Sequence, residues 1–510
     1  MQNSMIEAKK RLLSNVITNF LAIFVGGFVG IWLTPYLINN LNVEVYGMIS
    51  VSLSIVGFFG IFTNSVSNTV SRFVAIYLNK AEIIQSKVYF NSALVALIGL
   101  CGILLLPTII LTLFFSKVFQ TPVGYEIASG WLFFQVALSS FLTVITSPFM
   151  VSTLITHRFD LRNIINILSQ ILRIIVILAC FTYLSASLAY VGLSYILMAL
   201  LTFIGSVWTT KWLIPQLSVE YRMFRWKAAY EMCGMSIWMV IHQIGALLYL
   251  NISIVVINLF LGPTQCGRYA SIAQLSTLLA LFGVALTNLF TPLAYDHIAK
   301  NNIKILVEQL SRITKILGLI IALPVGLLCG LSVPILRRWL GVSFVDLWPL
   351  VLLLLVPWQV GISTRPTFAV FEGFNKVKLP AIATLIGGIL NLLISILLIK
   401  YTSLGIFGVG LSFCLCVVAK DQFFVPIYTA IITGQEKTKY AKKVFPGIAM
   451  TLLLGLAAFG LSRMFYLATI LRLLAATVSL TVVYALFCYT IVLNKQERVS
   501  LLSMILRKNV

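Results

Sequence analysis

The sequence predicts an all-α polytopic membrane protein, and three observations carry that reading. Apolar residues make up 60% of the 510, against about 45–50% in soluble domains. Charged residues are only 10%, where about 25% is usual, and mean hydropathy is +1.03. Apolar runs of about 20 residues or more, long enough to cross a bilayer as helices, recur along the whole chain. This composition excludes a soluble enzyme, a disordered chain and a disulfide scaffold.

About fourteen runs qualify as spans. The first six cover residues 14–38, 44–70, 88–115, 127–155, 161–183 and 189–212. Six more cover 230–260, 266–294, 312–335, 347–371, 379–400 and 405–432, and a last pair covers 444–466 and 470–493. Lys9, Lys10 and Arg11 before the first run resemble a signal peptide. That run is long enough to span and has no small-residue cleavage pattern, so it reads as an uncleaved first helix. Connecting segments are too short for a soluble domain, so successive spans must alternate in direction.

Net charge is +22. In a membrane protein, excess Lys and Arg mark cytoplasmic loops rather than a nucleic-acid partner. With both termini cytoplasmic, 26 of the 36 Lys and Arg lie on that basic side. Seven lie on the opposite, charge-poor side, and Arg173, Arg365 and Lys420 fall inside spans. The eight Cys form no C-x-x-C pair and sit mostly in apolar runs, so they read as small buried residues with no metal site.

The two halves repeat. At an offset of 220, Leu41 and Gly47 match Leu261 and Gly267, Ser67-Asn68 matches Thr287-Asn288, and Ser71 matches Thr291. At 218, Thr146-x-Pro148 matches Thr364-x-Pro366, and Val191-Gly192-Leu193-Ser194-Tyr195 matches Val409-Gly410-Leu411-Ser412-Phe413. Six spans is an even number, so both copies keep the same orientation, about an axis along the membrane normal. The expected domains are an N-lobe over 1–212, a cytoplasmic linker over 213–229, a C-lobe over 230–433, and two appended spans with a tail over 434–510. Two such lobes facing each other would leave a central cleft, the geometry of an alternating-access transporter.

A charged group at mid-bilayer is expensive and usually faces a bundle interior or a wet cavity. Arg173 and Lys420 sit near mid-depth without an obvious partner. Asp421 follows Lys420, but neighbours on a helix point about 100° apart and should pair poorly. Arg365 lies nearer the basic end of its span, where snorkelling is the alternative, and His242 lies well inside another. Asn64, Asn68 and Arg72 share one face of span 2, and Gln274 and Asn288, with Arg268 near the outer end, repeat it in span 8. Such stripes serve helix packing or cavity lining equally well. Together they suggest a cationic, amide-rich wall, which suits a phosphate-linked, sugar-bearing amphiphile. Pro148 and Pro366 should kink spans 4 and 10 into gate helices.

Asn15, Asn19, Gly26, Gly30, Trp32, Pro35-Tyr36-Leu37-Ile38, Val45-Tyr46-Gly47-Met48 and Ser71-Arg72-Phe73, with Leu261-Gly262-Pro263 and Gly267-Arg268-Tyr269 in the second half, give the whole chain a resemblance to a known family. It resembles the polysaccharide transporter family of oligosaccharide flippases, including O-antigen and capsule repeat-unit flippases. These share a superfamily with multidrug extruders and the lipid II flippase. The resemblance implies a flippase of the bacterial inner membrane, with no cofactor. Its cargo would be an undecaprenyl-pyrophosphate-linked oligosaccharide, and H⁺ or Na⁺ coupling would fall to Asp421 or His242. By position, Arg72, Arg173, His242, Arg268, Arg365 and Lys420 would meet the cargo. Membrane lipid and glycan polymerase or assembly proteins are the implied partners of a monomer.

The lipid II flippase and the multidrug extruder remain alternatives, although extruders typically carry a carboxylate in the first span, and residues 14–38 contain none. A membrane enzyme is disfavoured by the short loops and the lack of a nucleophile–base constellation.

Overall fold

The computed structural model describes residues 2–234, 237–288, 290–465, 469–494 and 497–498, and leaves the side chains of 2–13, 16, 62–68, 233–234 and 288 out of the description. The described elements are helical, with no strand among them. Twelve helical stretches are long and apolar enough to cross a membrane. One of them, Ile237–Ala299, is 63 residues long. At 1.5 Å per residue it would reach about 95 Å, roughly three bilayer cores. It is in fact two passes. The chain leaves helical geometry at Gly262, at φ 85° and ψ 176°, a region open to glycine. Cys266 Sγ then lies 3.6 Å from the Ile254 carbonyl, whereas twelve residues of straight helix would separate them by about 18 Å. Val43–Val56 and Gly60–Asn79, joined by a 3₁₀ turn at Gly57–Phe59, form one further apolar crossing. The expected fourteen passes are thereby accounted for among the described residues.

Apolar side chains cover the outside of these helices. Phe24, Ile103 and Leu113 are each at least 70% exposed, which fits a lipid surround and no aqueous one.

The chain divides into two compact units, Met1–Ser271 and Ile272–Val510. The division falls inside the Ile252–Asn288 helix, beyond the 230 at which the repeat begins again. In the first unit, Glu126–Thr146 and Phe159–Tyr183 both pack on Leu188–Leu213. Phe90 and Phe149 meet edge-on at 5.4 Å within a core that includes Val70, Val74 and Leu217. Residues 213–229 are held down at Asn91, which is fully buried. Its Nδ2 donates to the Ser218 carbonyl at 3.0 Å, and its Oδ1 accepts from Glu220 N–H at 2.7 Å.

In the second unit the most extensive helix packing is that of Ile303–Gly330 against Lys439–Met464. Glycine makes the approach possible. A Cβ on Gly447 would lie 2.9 Å from the Gly318 Cα, and one on Gly330 would strike the Gly455 carbonyl. Close backbone approach through small residues is the usual means of helix association in lipid. The penultimate span, outside the repeat, is thus integral to the second unit. Gln359 Nε2 closes the crossing by donating to the Gly318 carbonyl at 2.9 Å.

Candidate functional site

Both predicted gate helices are interrupted at the proline. Glu126–Thr146 stops, residues 147–150 turn, and helix resumes at Val151–Ile155. Trp348–Thr364 stops, Arg365 and Pro366 turn, and helix resumes at Thr367–Gly373. Proline lacks the N–H and crowds the preceding turn, so the repeat carries the same break in both halves.

In the first unit, Arg173 is partnered, contrary to expectation. Its Nη2 donates to Tyr195 Oη at 2.7 Å, and its guanidinium carbon stands 4.1 Å from that ring's centroid. The reason is local. The Phe159–Tyr183 helix packs on Leu188–Leu213, so Arg173 and Tyr195 share an interface. Arg173 Nε is buried with no partner. Tyr46 Oη lies 3.2 Å from Thr34 Oγ1.

Tyr46 leads directly to a junction the sequence had marked only as a repeat. Gly47 and its repeat mate Gly267 meet. A Cβ on Gly47 would lie 2.7 Å from the Pro263 carbonyl and 3.0 Å from Gly267 N, and one on Gly267 would strike the Val43 carbonyl. Thr264 Oγ1 donates to Glu44 Oε1 at 2.8 Å, and these residues are again 220 apart. Repeat-related residues thus touch one another within the first unit. Beside them Gln120 and the fully buried Asn258 exchange hydrogen bonds of 3.1 and 3.0 Å, and Gln120 Nε2 reaches the Leu259 carbonyl at 2.8 Å. All these contacts lie at the ends of spans that the charge bias assigns to the charge-poor side.

In the second unit the structure gathers Arg365, Lys420 and Asp421. Lys420 Nζ lies 3.2 Å from Asp421 Oδ1, with both side chains largely buried. This corrects the expectation that adjacent residues pair poorly. Residues Ala419–Phe424 form a π-helical turn, whose wider winding alters the angle between neighbours, and such turns concentrate at functional sites. Asp421 Oδ2 packs over Gly361, where a Cβ would lie 3.1 Å away. Arg365 is one turn further along and within electrostatic reach of Asp421.

The other candidates are more scattered. Arg72 is exposed on Gly60–Asn79, while His242, Arg268 and Gln274 are half-buried on their helices. The side chains of Asn64, Asn68 and Asn288 lie outside the described residues. Asn15 serves a turn: its Nδ2 donates to the His157 carbonyl at 2.9 Å, and its Oδ1 accepts from Asp160 N–H at 2.8 Å.

The offset of 218 carries a signal that inspection of single residues missed. It sets Arg173 against Asn391, Tyr195 against Phe413, Arg365 against Ser147 and Lys420 against Thr202. Asn391 is fully buried and bonded to Ser412, and Thr202 to Ser169. Each charged position thus has a neutral, hydrogen-bonded counterpart. The repeat itself therefore does not call for charge at these positions.

A family model described as "Polysaccharide biosynthesis protein" matches residues 12–290. The chain is 26% identical over 490 residues to the uncharacterized membrane protein EpsK of Bacillus subtilis (strain 168), covering 95% of this chain and 96% of that one. Among solved structures it resembles the lipid II flippase MurJ in an inward closed conformation, with TM-score 0.65 and 14% identity over 93% of this chain and 98% of that one. An inward-facing multidrug resistance MATE transporter of the MOP superfamily matches with TM-score 0.62 and 13% identity, over 86% and 99%. At these identities the two structures establish a common fold.

Proposed function

The chain belongs to the polysaccharide biosynthesis protein family, and from that premise we propose that it is a flippase. Its cargo would be an undecaprenyl-pyrophosphate-linked oligosaccharide, moved from the cytoplasmic to the outer leaflet of the bacterial inner membrane. The observation that carries the proposal is the set of membrane-embedded charges that the repeat does not share. Three cations, Arg173, Arg365 and Lys420, stand where the other half uses neutral residues. Intramembrane charge that packing does not require is a sign of function. Diphosphate is a natural partner for guanidinium and ammonium groups.

Asp421 occupies Lys420 in the structure described and acts on Arg365. The carboxylate therefore serves as an internal stand-in for the anionic cargo. An arriving diphosphate competes with Asp421 for the two cations, and Asp421 and His242 are the candidates for H⁺ or Na⁺ coupling. The Gly47–Gly267 junction closes the charge-poor side and must part for release, while the breaks at Pro148 and Pro366 supply bends in the gate helices.

The test is deletion in the native host followed by extraction of undecaprenyl-linked sugars. The expected result is accumulation of a complete repeat unit on the cytoplasmic leaflet with loss of surface glycan. It should be reversed by the wild-type gene and not by Lys420→Gln at equal membrane levels. Unchanged glycan with heightened sensitivity to cationic drugs would overturn the reading in favour of the multidrug branch.

A further inference from the structure

The connection between the two repeats, residues 213–231, has no part in the flippase reading, yet it is firmly held. The start of the Ile83–Leu113 helix clamps it. Lys87 Nζ donates to Glu220 Oε1 at 2.9 Å, and Tyr89 Oη donates to Glu231 Oε2 at 2.6 Å. Asn91 holds Ser218 and Glu220, and Ser92 Oγ accepts from Arg225 N–H at 3.0 Å. Ile214, Leu217, Ala228 and Met232 of the segment sit in the same core as Phe90 and Val74.

The clamp fixes the depth of the segment. From Ala93 to Leu113 the clamping helix carries no charged or amide side chain. At 1.5 Å per residue that run is about 30 Å long, the thickness of the hydrocarbon core. Lys87–Ser92 precede it on the basic side. They therefore stand at the level of the headgroups, and the segment bonded to them stands there too.

At that level the segment turns aromatic rings and cations outward. Its two carboxylates, Glu220 and Glu231, are engaged by Lys87 and Tyr89. Tyr221, Trp226 and Tyr230 are 72%, 78% and 80% exposed, and exposed Arg222, Arg225 and Lys227 are interleaved with them. Trp226 and Tyr230 lie one turn apart on the Trp226–Gly234 helix, opposite the buried Ala228 and Met232. Arg222 Nε donates to Tyr221 Oη and Arg225 Nη1 to the Phe224 carbonyl, each at 3.3 Å, so neither guanidinium meets a carboxylate there.

Cations alone would suit any solvated loop. Large aromatic rings held out on a clamped helix do not, because water solvates them poorly. Trp and Tyr favour the membrane interface, where the ring meets apolar chains and its polar edge meets headgroups. Cations at the same level find their counter-charge in anionic headgroups.

We propose that residues 221–230 are a docking surface for the bilayer itself. Trp226 and Tyr230 seat among the headgroups of the basic-side leaflet, and Arg222, Arg225 and Lys227 gather anionic phospholipid around them. The connection between the repeats is then a fixed interfacial element rather than a free tether.

The test uses full-length protein carrying 5-fluorotryptophan in phosphatidylcholine nanodiscs, read by fluorine NMR. The Trp226 resonance is the one lost in Trp226→Phe. Lipid spin-labelled in the upper acyl chain should broaden it strongly, and a water-soluble gadolinium chelate should broaden it weakly. The reverse pattern would put Trp226 in water, where a soluble protein could cover it, and would overturn the proposal. Headgroup charge is the second arm. Dilute spin-labelled phosphatidylglycerol should broaden the resonance about fivefold more than spin-labelled phosphatidylcholine. Arg222→Gln with Arg225→Gln and Lys227→Gln should abolish that excess, whereas Lys437→Gln with Lys439→Gln and Lys442→Gln, on another basic-side connection, should keep it. Equal broadening by the two lipids in wild type, or an excess that survives in the first triple variant once gel filtration shows it folded, would overturn the choice of anionic lipid.

Discussion

Gly267→Ala is the sharpest probe of the junction between Gly47 and Gly267. The added Cβ would fall on the backbone carbonyl of Val43, which has no rotamer by which to yield. Overpacking of this kind costs roughly 1–3 kcal/mol. All of that cost falls on the closed arrangement, so the balance should shift toward the parted one by about 5–150-fold. The chain carries its own reporter. Cys266 is fully buried in the junction, its Sγ 3.8 Å from the Gly47 carbonyl. The assay is the rate of maleimide labelling of Cys266 in purified protein, read by peptide mass mapping. Wild type should label slowly and Gly267→Ala faster by that factor. Gly130→Ala is the control. Its Cβ would lie 2.7 Å from the Thr112 carbonyl, away from the junction, so it should lower stability without exposing Cys266. If Gly267→Ala folds and Cys266 labels no faster than in wild type, the junction is not a closure that parts. If Gly130→Ala raises labelling equally, the effect is general loosening and the reasoning fails in the same way.

Three further outcomes follow from the same structure. Asp421→Asn leaves Lys420 without its buried counter-charge, which costs about 3–5 kcal/mol; thermal unfolding should fall markedly and recover in part when Lys420→Met is added. Asn91→Ala removes buried hydrogen bonds to Ser218 and Glu220, at about 1–3 kcal/mol; limited proteolysis should then cut residues 213–229 faster, and an unchanged rate would deny that Asn91 holds the linker. Glu220 is held below the usual carboxylate range by its hydrogen bonds from Ser218 and Lys87. For a depressed acid, the stabilisation is present above the unfolded value near 4.3 and is lost as pH falls through the folded one. Melting temperature should therefore drop on acidification below about pH 4.3, and Glu220→Gln should remove part of that drop.

Much of the architecture was legible because the bilayer imposes simple demands. Span length and apolarity follow from hydrocarbon thickness and the need to satisfy every backbone group internally. The repeat was legible too, since Gly47 with Gly267 and Pro148 with Pro366 mark places where only those residues serve. What the repeat did not say is that Gly47 and Gly267 touch. An offset records a shared pattern, and contact depends on how the spans pack.

The charged positions show the same boundary. Arg173, Arg365 and Lys420 stood out from sequence because the membrane makes charge expensive. Their partners did not. Tyr195 meets Arg173 only because two helices pack, and Asp421 reaches Lys420 only through a π-helical turn that no residue pattern announced. A cavity of about 600 Å³ in the second unit draws on Lys304 and Arg312, on Lys439 and Lys443 more than a hundred residues later, and on Asn494 and Glu497. Sequence by itself determined the number of crossings, the internal repeat and which residues are too polar for their setting, since each is a local property of side chains against lipid. Tertiary structure decided which of those residues meet, because packing brings together groups that are distant along the chain, and the distances between them determine what they bind.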